Sequence, residues 1–106
     1  MSWVYLLTAI FFEVAWAIGL KFSGSLSLAK PAATAFTVFS MVASVFFLAL
    51  AVKQIPIGTA YAVWTGSGAV GVAILGMILF NEPVFALRIL FLFLIISGVA
   101  GLKLVS

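Results

Sequence analysis

The sequence lacks two residue types that carry much of enzyme chemistry, because it contains no cysteine and no histidine. Without cysteine, disulfide bonds and a thiolate nucleophile are excluded, and without both residues a zinc site of the usual kind is excluded too. The side chain that most often acts as a base near neutral pH is also missing. We therefore expect no zinc site and no catalysis by cysteine or histidine. Metals, cofactors and enzymatic activity are not expected either.

Charged residues are also scarce, at 7% of the 106 residues, with five lysines or arginines against two acids. The formal net charge is +3, but the basic residues stand singly along the chain. A nucleic-acid-binding protein groups such residues on one face or stripe. Nucleic acid is therefore not expected as a partner.

Apolar residues, in contrast, make up 67% of the chain. A soluble domain of this length has too little interior to hide so much apolar surface. The composition thus predicts an integral membrane protein that lies in a lipid bilayer.

Charges and prolines divide the chain into four apolar segments, each long enough to cross a hydrocarbon core, for which about 20 residues suffice. The predicted helices cover about residues 3–21, 32–52, 57–79 and 86–105. The connections between them are short, so residues 1–106 are expected to form a single domain. The predicted fold is an all-α integral membrane protein with four transmembrane helices per chain.

The first apolar segment is expected to remain as a helix of the mature protein. A cleaved signal peptide has basic residues before its apolar stretch, whereas here Lys21 follows that stretch and Glu13 interrupts it.

Positive charges are almost evenly divided between the two predicted sides of the membrane. Lys53 and Lys103 share a side with the N-terminus, and Lys21, Lys30 and Arg88 fall on the other side. This balance is a weak orientation signal, so the chain has either one weakly determined topology or a dual topology. Oppositely inserted copies could pair as an antiparallel dimer, which would form the inverted repeat common in transporters. An oligomer is expected in both cases.

Glu13 is the one acidic residue within a predicted span and is the main candidate for a functional group. Ionisable residues in spans usually face a bundle interior or a water-filled cavity and mark the route of an ion or substrate. A single carboxyl group can hold either a proton or a cation, which is the simplest basis for exchange. The alternative is a neutral glutamic acid that only joins two helices by a hydrogen bond.

Neighbouring side chains suggest how a cation site around Glu13 is completed. Trp16 lies one helical turn away and offers an indole N–H and an aromatic face. In the second helix, Ser40 and Ser44 lie one turn apart, and either hydroxyl could donate to the carboxylate. A bond from Ser40 to a carbonyl of its own helix is an equally good explanation for that residue.

The third helix begins with the sequence GTAYAVWTGSGAVG, which combines aromatic residues with glycines. Tyr61 and Trp64 share one helix face; such aromatic residues are often interfacial, but the glycines favour a site because they admit close neighbours. We expect packing or hinge roles for three glycines of this helix and two of the fourth, the latter at a dimer seam: Gly66, Gly68, Gly71, Gly98 and Gly101.

Taken together, these motifs resemble small multidrug resistance transporters, and most closely the guanidinium-exporter branch of that family. The resemblance covers essentially the full length and rests on EVAWAIGLK in the first span, PIGTAYAVWTG at the third and a terminal GLK. Drug exporters of the family typically carry a small residue where this chain has Trp16.

The resemblance implies an antiparallel homodimer of the bacterial inner membrane that exports guanidinium in exchange for protons. Glu13 of both subunits would bind the cation and protons in turn, and Trp16, Ser44, Tyr61 and Trp64 would line the site. Small guanidinyl compounds are expected as further substrates, with guanylurea left open. Ile10 is bulkier than the small residue often found there in this branch, which leaves the substrate breadth open.

Two other hypotheses stay open from the sequence. One is an exporter of quaternary ammonium and other lipophilic cations, and the other is an accessory membrane subunit in which Glu13 only packs. Guanidinium presents paired N–H groups that match the two oxygens of a carboxylate, whereas a quaternary ammonium ion has no such donors. The polar residues around Glu13 therefore favour guanidinium. A heteromeric partner is also left open.

Overall fold

The computed structural model describes residues 1–105, which form four α-helices and, within that range, no β-strand. The helices are α1 (Ser2–Phe22), α2 (Pro31–Ala51), α3 (Ile57–Leu79) and α4 (Ala86–Leu104). In this part of the chain all four are long and apolar enough to cross a membrane. The expectation of an all-α membrane protein with four transmembrane helices is confirmed.

The ends of the helices follow from local sequence chemistry. Pro31 occupies the first turn of α2, where its missing N–H costs no helical hydrogen bond. Lys21 and Lys103 lie in the last turns of α1 and α4, where a cation suits the negative end of the helix dipole. After α3 the backbone of Asn81 is left-handed, with φ of 53°, a conformation that asparagine tolerates better than most residues.

α1 is the central helix, because it packs against both α2 and α3, while α4 packs against α3. The buried core is small and lies towards the first turns of α1: Leu6, Ala9, Leu48, Ala51, Ile55, Ala60 and Val63. Most large apolar side chains of the described chain are exposed, which would be costly in water but not among lipid tails.

The two ends of the bundle are held by different polar contacts. At the end that carries the N-terminus, Ser2 Oγ donates to Gln54 Oε1 at 2.8 Å, and Lys103 Nζ lies 5.0 Å from the centre of the Trp3 ring. These contacts bring the start of α1, the α2–α3 connection and the end of α4 to one side, so successive helices run in alternating directions.

At the opposite end, Arg88 and Glu82 form an ion pair with an N–O distance of 2.8 Å. Lys21 Nζ lies 5.5 Å from the centre of the Phe80 ring at the same end. Since Glu82 pairs with Arg88, one of the basic charges on this side is balanced locally.

α1 and α2 approach closely where Gly19 faces Thr37. A Cβ atom added at Gly19 would overlap Thr37 Oγ1 and lie 3.2 Å from Thr37 Cβ. The Thr37 hydroxyl is fixed by its hydrogen bond to the carbonyl of Ala33, at 2.8 Å, so it cannot turn away freely. Glycine is therefore required at position 19 for the spacing of these two helices.

We expect Gly19→Ala to lower the free energy of unfolding by about 1–3 kcal/mol relative to Gly58→Ala, because overpacking a tight contact forces helices apart. Gly58 is the matched control, since a Cβ added there meets no atom of residues 1–105 within 4 Å. Thermal unfolding of both purified variants in the same detergent measures the difference. Equal stability of the two variants would contradict the close approach of α1 and α2.

Candidate functional site

The candidate site lies where α1 and α3 meet, around the carboxylate of Glu13. This carboxylate rests against the backbone of Gly68, and a Cβ atom added at Gly68 would overlap it. Gly71, one turn further along α3, accommodates Val14 of α1 in the same way, since a Cβ atom added there would lie only 2.8 Å from Val14 Cγ2. The two glycines thus create the space in which α1 holds an acidic side chain against α3.

One oxygen of the Glu13 carboxylate has no hydrogen-bonding partner. Its Oε2 atom is buried and makes no hydrogen bond to any of residues 1–105. A buried acceptor without a donor costs about 1–3 kcal/mol, and more when it is charged. Binding of a proton or of a cation with N–H groups would remove this cost, so the geometry suits either occupant.

Ser44 connects the three helices that surround the site. Its fully buried hydroxyl donates to the carbonyl of Ala9 at 2.7 Å and accepts a hydrogen bond from Trp64 Nε1 at 3.0 Å. In an α-helix the carbonyl of residue 9 also accepts the N–H of residue 13, so Ser44 braces the turn of α1 that carries Glu13. The hydroxyl of Ser44 donates to this carbonyl and not to the carboxylate.

The two aromatic residues of α3 form a pair beside this connection. The ring centres of Tyr61 and Trp64 lie 5.5 Å apart with an interplanar angle of 53°. Trp64 is half-buried, whereas Tyr61 is 54% exposed within the single chain. Trp16 is half-buried on α1, one turn beyond Glu13.

Ser40 is fully buried one turn before Ser44, and its hydroxyl makes no hydrogen bond within residues 1–105. The hydroxyl of Ser40 therefore makes neither of the two expected bonds in the structure, to the Glu13 carboxylate or to a carbonyl of its own helix. Three threonines of the described chain do make that bond to the carbonyl four residues earlier: Thr8, Thr37 and Thr65.

The remaining glycines fall into two groups. Gly66 faces α4, where an added Cβ would lie 2.9 Å from Val99 Cγ2. Gly98 and Gly101 lie on an open face of α4, because a Cβ at either position meets no atom of the described residues within 4 Å.

Two features of the site were not apparent from the sequence. The carbonyl of Ala9 accepts a hydrogen bond from Ser44. A backbone acceptor of this kind cannot be predicted from the pattern of side chains. The backbone of Gly68 lies directly against the Glu13 carboxylate, whereas the sequence had suggested only a packing or hinge role for this glycine. Within residues 1–105, no group of three or more acids, cysteines or histidines comes together to hold a metal.

Comparisons with known proteins identify relatives of this chain. The model of the family described as Small Multidrug Resistance protein matches residues 1–95. A protein of Yersinia pseudotuberculosis named Guanidinium exporter is 54% identical over 106 residues, which is 100% of both chains. A protein of Escherichia coli K12 with the same name is 48% identical over 104 residues, 98% of this chain and 97% of the relative.

The family match extends over most of the chain and includes α1, α2, α3 and the Glu13 site. The two relatives align with this chain over essentially their full length. The chain therefore belongs to the Small Multidrug Resistance protein family and is a multi-pass membrane protein.

Proposed function

We propose that this chain is a proton-coupled antiporter that exports guanidinium across the bacterial inner membrane. The observation that carries the proposal is the buried Oε2 atom of Glu13, an acceptor without a donor in a span that has no other acid. The name Guanidinium exporter of relatives at 48% and 54% identity supports the same cation.

The chemistry of guanidinium suits this carboxylate. Guanidinium is planar, stays charged at physiological pH and presents paired N–H donors, so it satisfies both oxygens of a carboxylate at once. A quaternary ammonium ion would leave the buried acceptor without a hydrogen bond. Small guanidinyl compounds that keep the paired N–H groups are expected as further substrates.

Exchange follows from competition at Glu13. When the carboxyl group holds a proton it is neutral and has no charge to attract a cation, and when it loses the proton it becomes the ligand for guanidinium. If the site opens to one side of the membrane at a time, an inward proton gradient drives guanidinium outwards. Trp16, Ser44, Tyr61 and Trp64 are proposed to line the site and orient the flat cation.

The working unit is proposed to be an antiparallel homodimer, in which Glu13 of both subunits shares one cation site. The glycines of α4 support this proposal, because Gly98 and Gly101 lie on a face that residues 1–105 leave open. The basic residues agree as well, since three lie on one side of the bundle and two on the other, which is a weak orientation signal.

We expect Glu13→Gln to abolish guanidinium-driven currents, because the neutral amide can neither release a proton nor balance a cation. Glu13→Asp should transport more slowly, since its shorter side chain cannot reach the position against Gly68. Both are measured as transport currents in proteoliposomes made with purified protein. A Glu13→Gln variant that transports at the normal rate would refute carboxylate-centred exchange.

Ser44→Ala is expected to weaken guanidinium binding by at least about tenfold, because it leaves the Trp64 N–H without its acceptor and removes the bond that fixes the turn of α1 at Ala9. The matched control is Thr65→Val. It removes a hydroxyl adjacent to Trp64 in the sequence, and this hydroxyl hydrogen-bonds only to carbonyls of its own helix. Binding is followed by tryptophan fluorescence. Equal affinities of the two variants would argue against a role for the Ser44 connection.

Dual topology can be tested directly, because the chain contains no native cysteine. Leu28→Cys and Val105→Cys place single thiols at exposed positions on opposite sides of the bundle. Opposite insertion predicts that a membrane-impermeant maleimide labels about half of the copies of each variant in intact cells. Complete labelling of one variant and none of the other would show a single orientation.

A further inference from the structure

Two buried side-chain atoms of residues 1–105 lack a hydrogen-bond partner, and they are Glu13 Oε2 and Ser40 Oγ. We propose that Ser40 is a further positioning residue of the Glu13 site, whose hydroxyl hydrogen-bonds the carboxyl group from the α2 side. This inference rests on the proposed function, since it names a residue that tunes the same exchange.

The buried stripe of α2 points Ser40 towards α1. The buried residues of α2 follow helical spacing along one face: Thr37, Ser40, Ser44, Leu48 and Ala51. α1 is the main packing partner of α2, whereas α2 and α3 touch only marginally. The face that contains Ser40 is therefore the face that meets α1.

The register of the two helices brings Ser40 to the level of Glu13. Ser44 contacts the carbonyl of Ala9, and Thr37 lies against Gly19, so α1 and α2 run antiparallel. Ser40 lies between these two contacts along α2, and its level on α1 must fall between residues 9 and 19. With equal rise along both helices, Ser40 lies opposite the turn formed by residues 13–16.

The chemistry of the two groups is complementary. A serine hydroxyl can donate to an ionised carboxylate and can accept from a protonated carboxylic acid, so it suits both states of Glu13. The bond to the ionised form is the stronger one. A glutamate side chain has three rotatable bonds, which let its carboxyl group turn from Gly68 on α3 towards Ser40 on α2. Ser40 would then favour the form that binds the cation.

No other charge competes for Glu13 within the three helices that enclose it. α2 contains no titratable residue, and Tyr61 is the one titratable residue of α3, near its start. On α1, Tyr5 and Lys21 each lie about two helical turns from Glu13. A change at Ser40 should therefore be seen in the titration of Glu13, which in the proposed dimer is that of the two Glu13 carboxyl groups together.

The test compares Ser40→Ala with the control variant Thr37→Val. The control removes a buried hydroxyl from the same face of α2, but this hydroxyl hydrogen-bonds within its own helix. Guanidinium affinity is measured by tryptophan fluorescence in the purified, detergent-solubilised protein. The titration of Glu13 is followed separately by infrared absorption of its carboxyl group, with Glu13→Gln as the blank. The chain has only two acidic residues, which makes this difference spectrum simple.

We expect Ser40→Ala to weaken guanidinium binding by about tenfold and to move the midpoint of the Glu13 titration to higher pH, while Thr37→Val changes neither. Wild-type affinity and wild-type titration in Ser40→Ala would overturn the proposal, as would equal effects of the two substitutions. If the wild-type protein binds no guanidinium but Ser40→Ala still shifts the titration, the proposed function fails and the role of Ser40 stands.

Discussion

The contact of the Glu13 carboxylate with the backbone of Gly68 sets how α1 and α3 pack around the candidate site, because a Cβ atom at Gly68 would overlap the carboxylate. An acidic side chain between lipid-embedded helices is tolerated only where a proton or a cation can satisfy it, and its buried Oε2 atom has no partner among residues 1–105. Gly68 provides the space, and Ser44 holds the turn of α1 through the carbonyl of Ala9. The surrounding helices thus leave the Glu13 carboxylate with a buried oxygen that no donor of residues 1–105 reaches.

The buried core of the described chain is small, so few contacts oppose a movement of its helices. α4 contributes no buried residue within the described chain, and α2 touches α3 only marginally. Stability in lipid comes from close helix contacts at small residues, such as Gly19 against Thr37, more than from a large apolar interior. Alternating access would therefore need only shifts of helices about a few glycine contacts, and a second subunit would complete what one chain leaves open.

The fold was predictable because lipid imposes a simple length and polarity rule, and the charges and prolines mark the ends of each apolar segment. Glu13 stood out because an acid in a span is rare, and Ser44 and Trp64 were expected at the site by their motifs. The sequence could not show which group accepts the hydrogen bond from the Ser44 hydroxyl, because every residue has a backbone carbonyl. It also could not show that Ser40 is buried without a partner in residues 1–105, since that depends on how α1 and α2 pack.

Proton release on guanidinium binding would distinguish exchange at Glu13 from simple cation binding. Guanidinium is added to purified protein in weakly buffered detergent solution near neutral pH, and released protons are counted against bound cation. Competition at Glu13 predicts that binding expels protons in the wild-type protein and that Glu13→Gln shows neither binding nor release. Tight guanidinium binding without proton release across the neutral pH range would contradict exchange at this carboxylate.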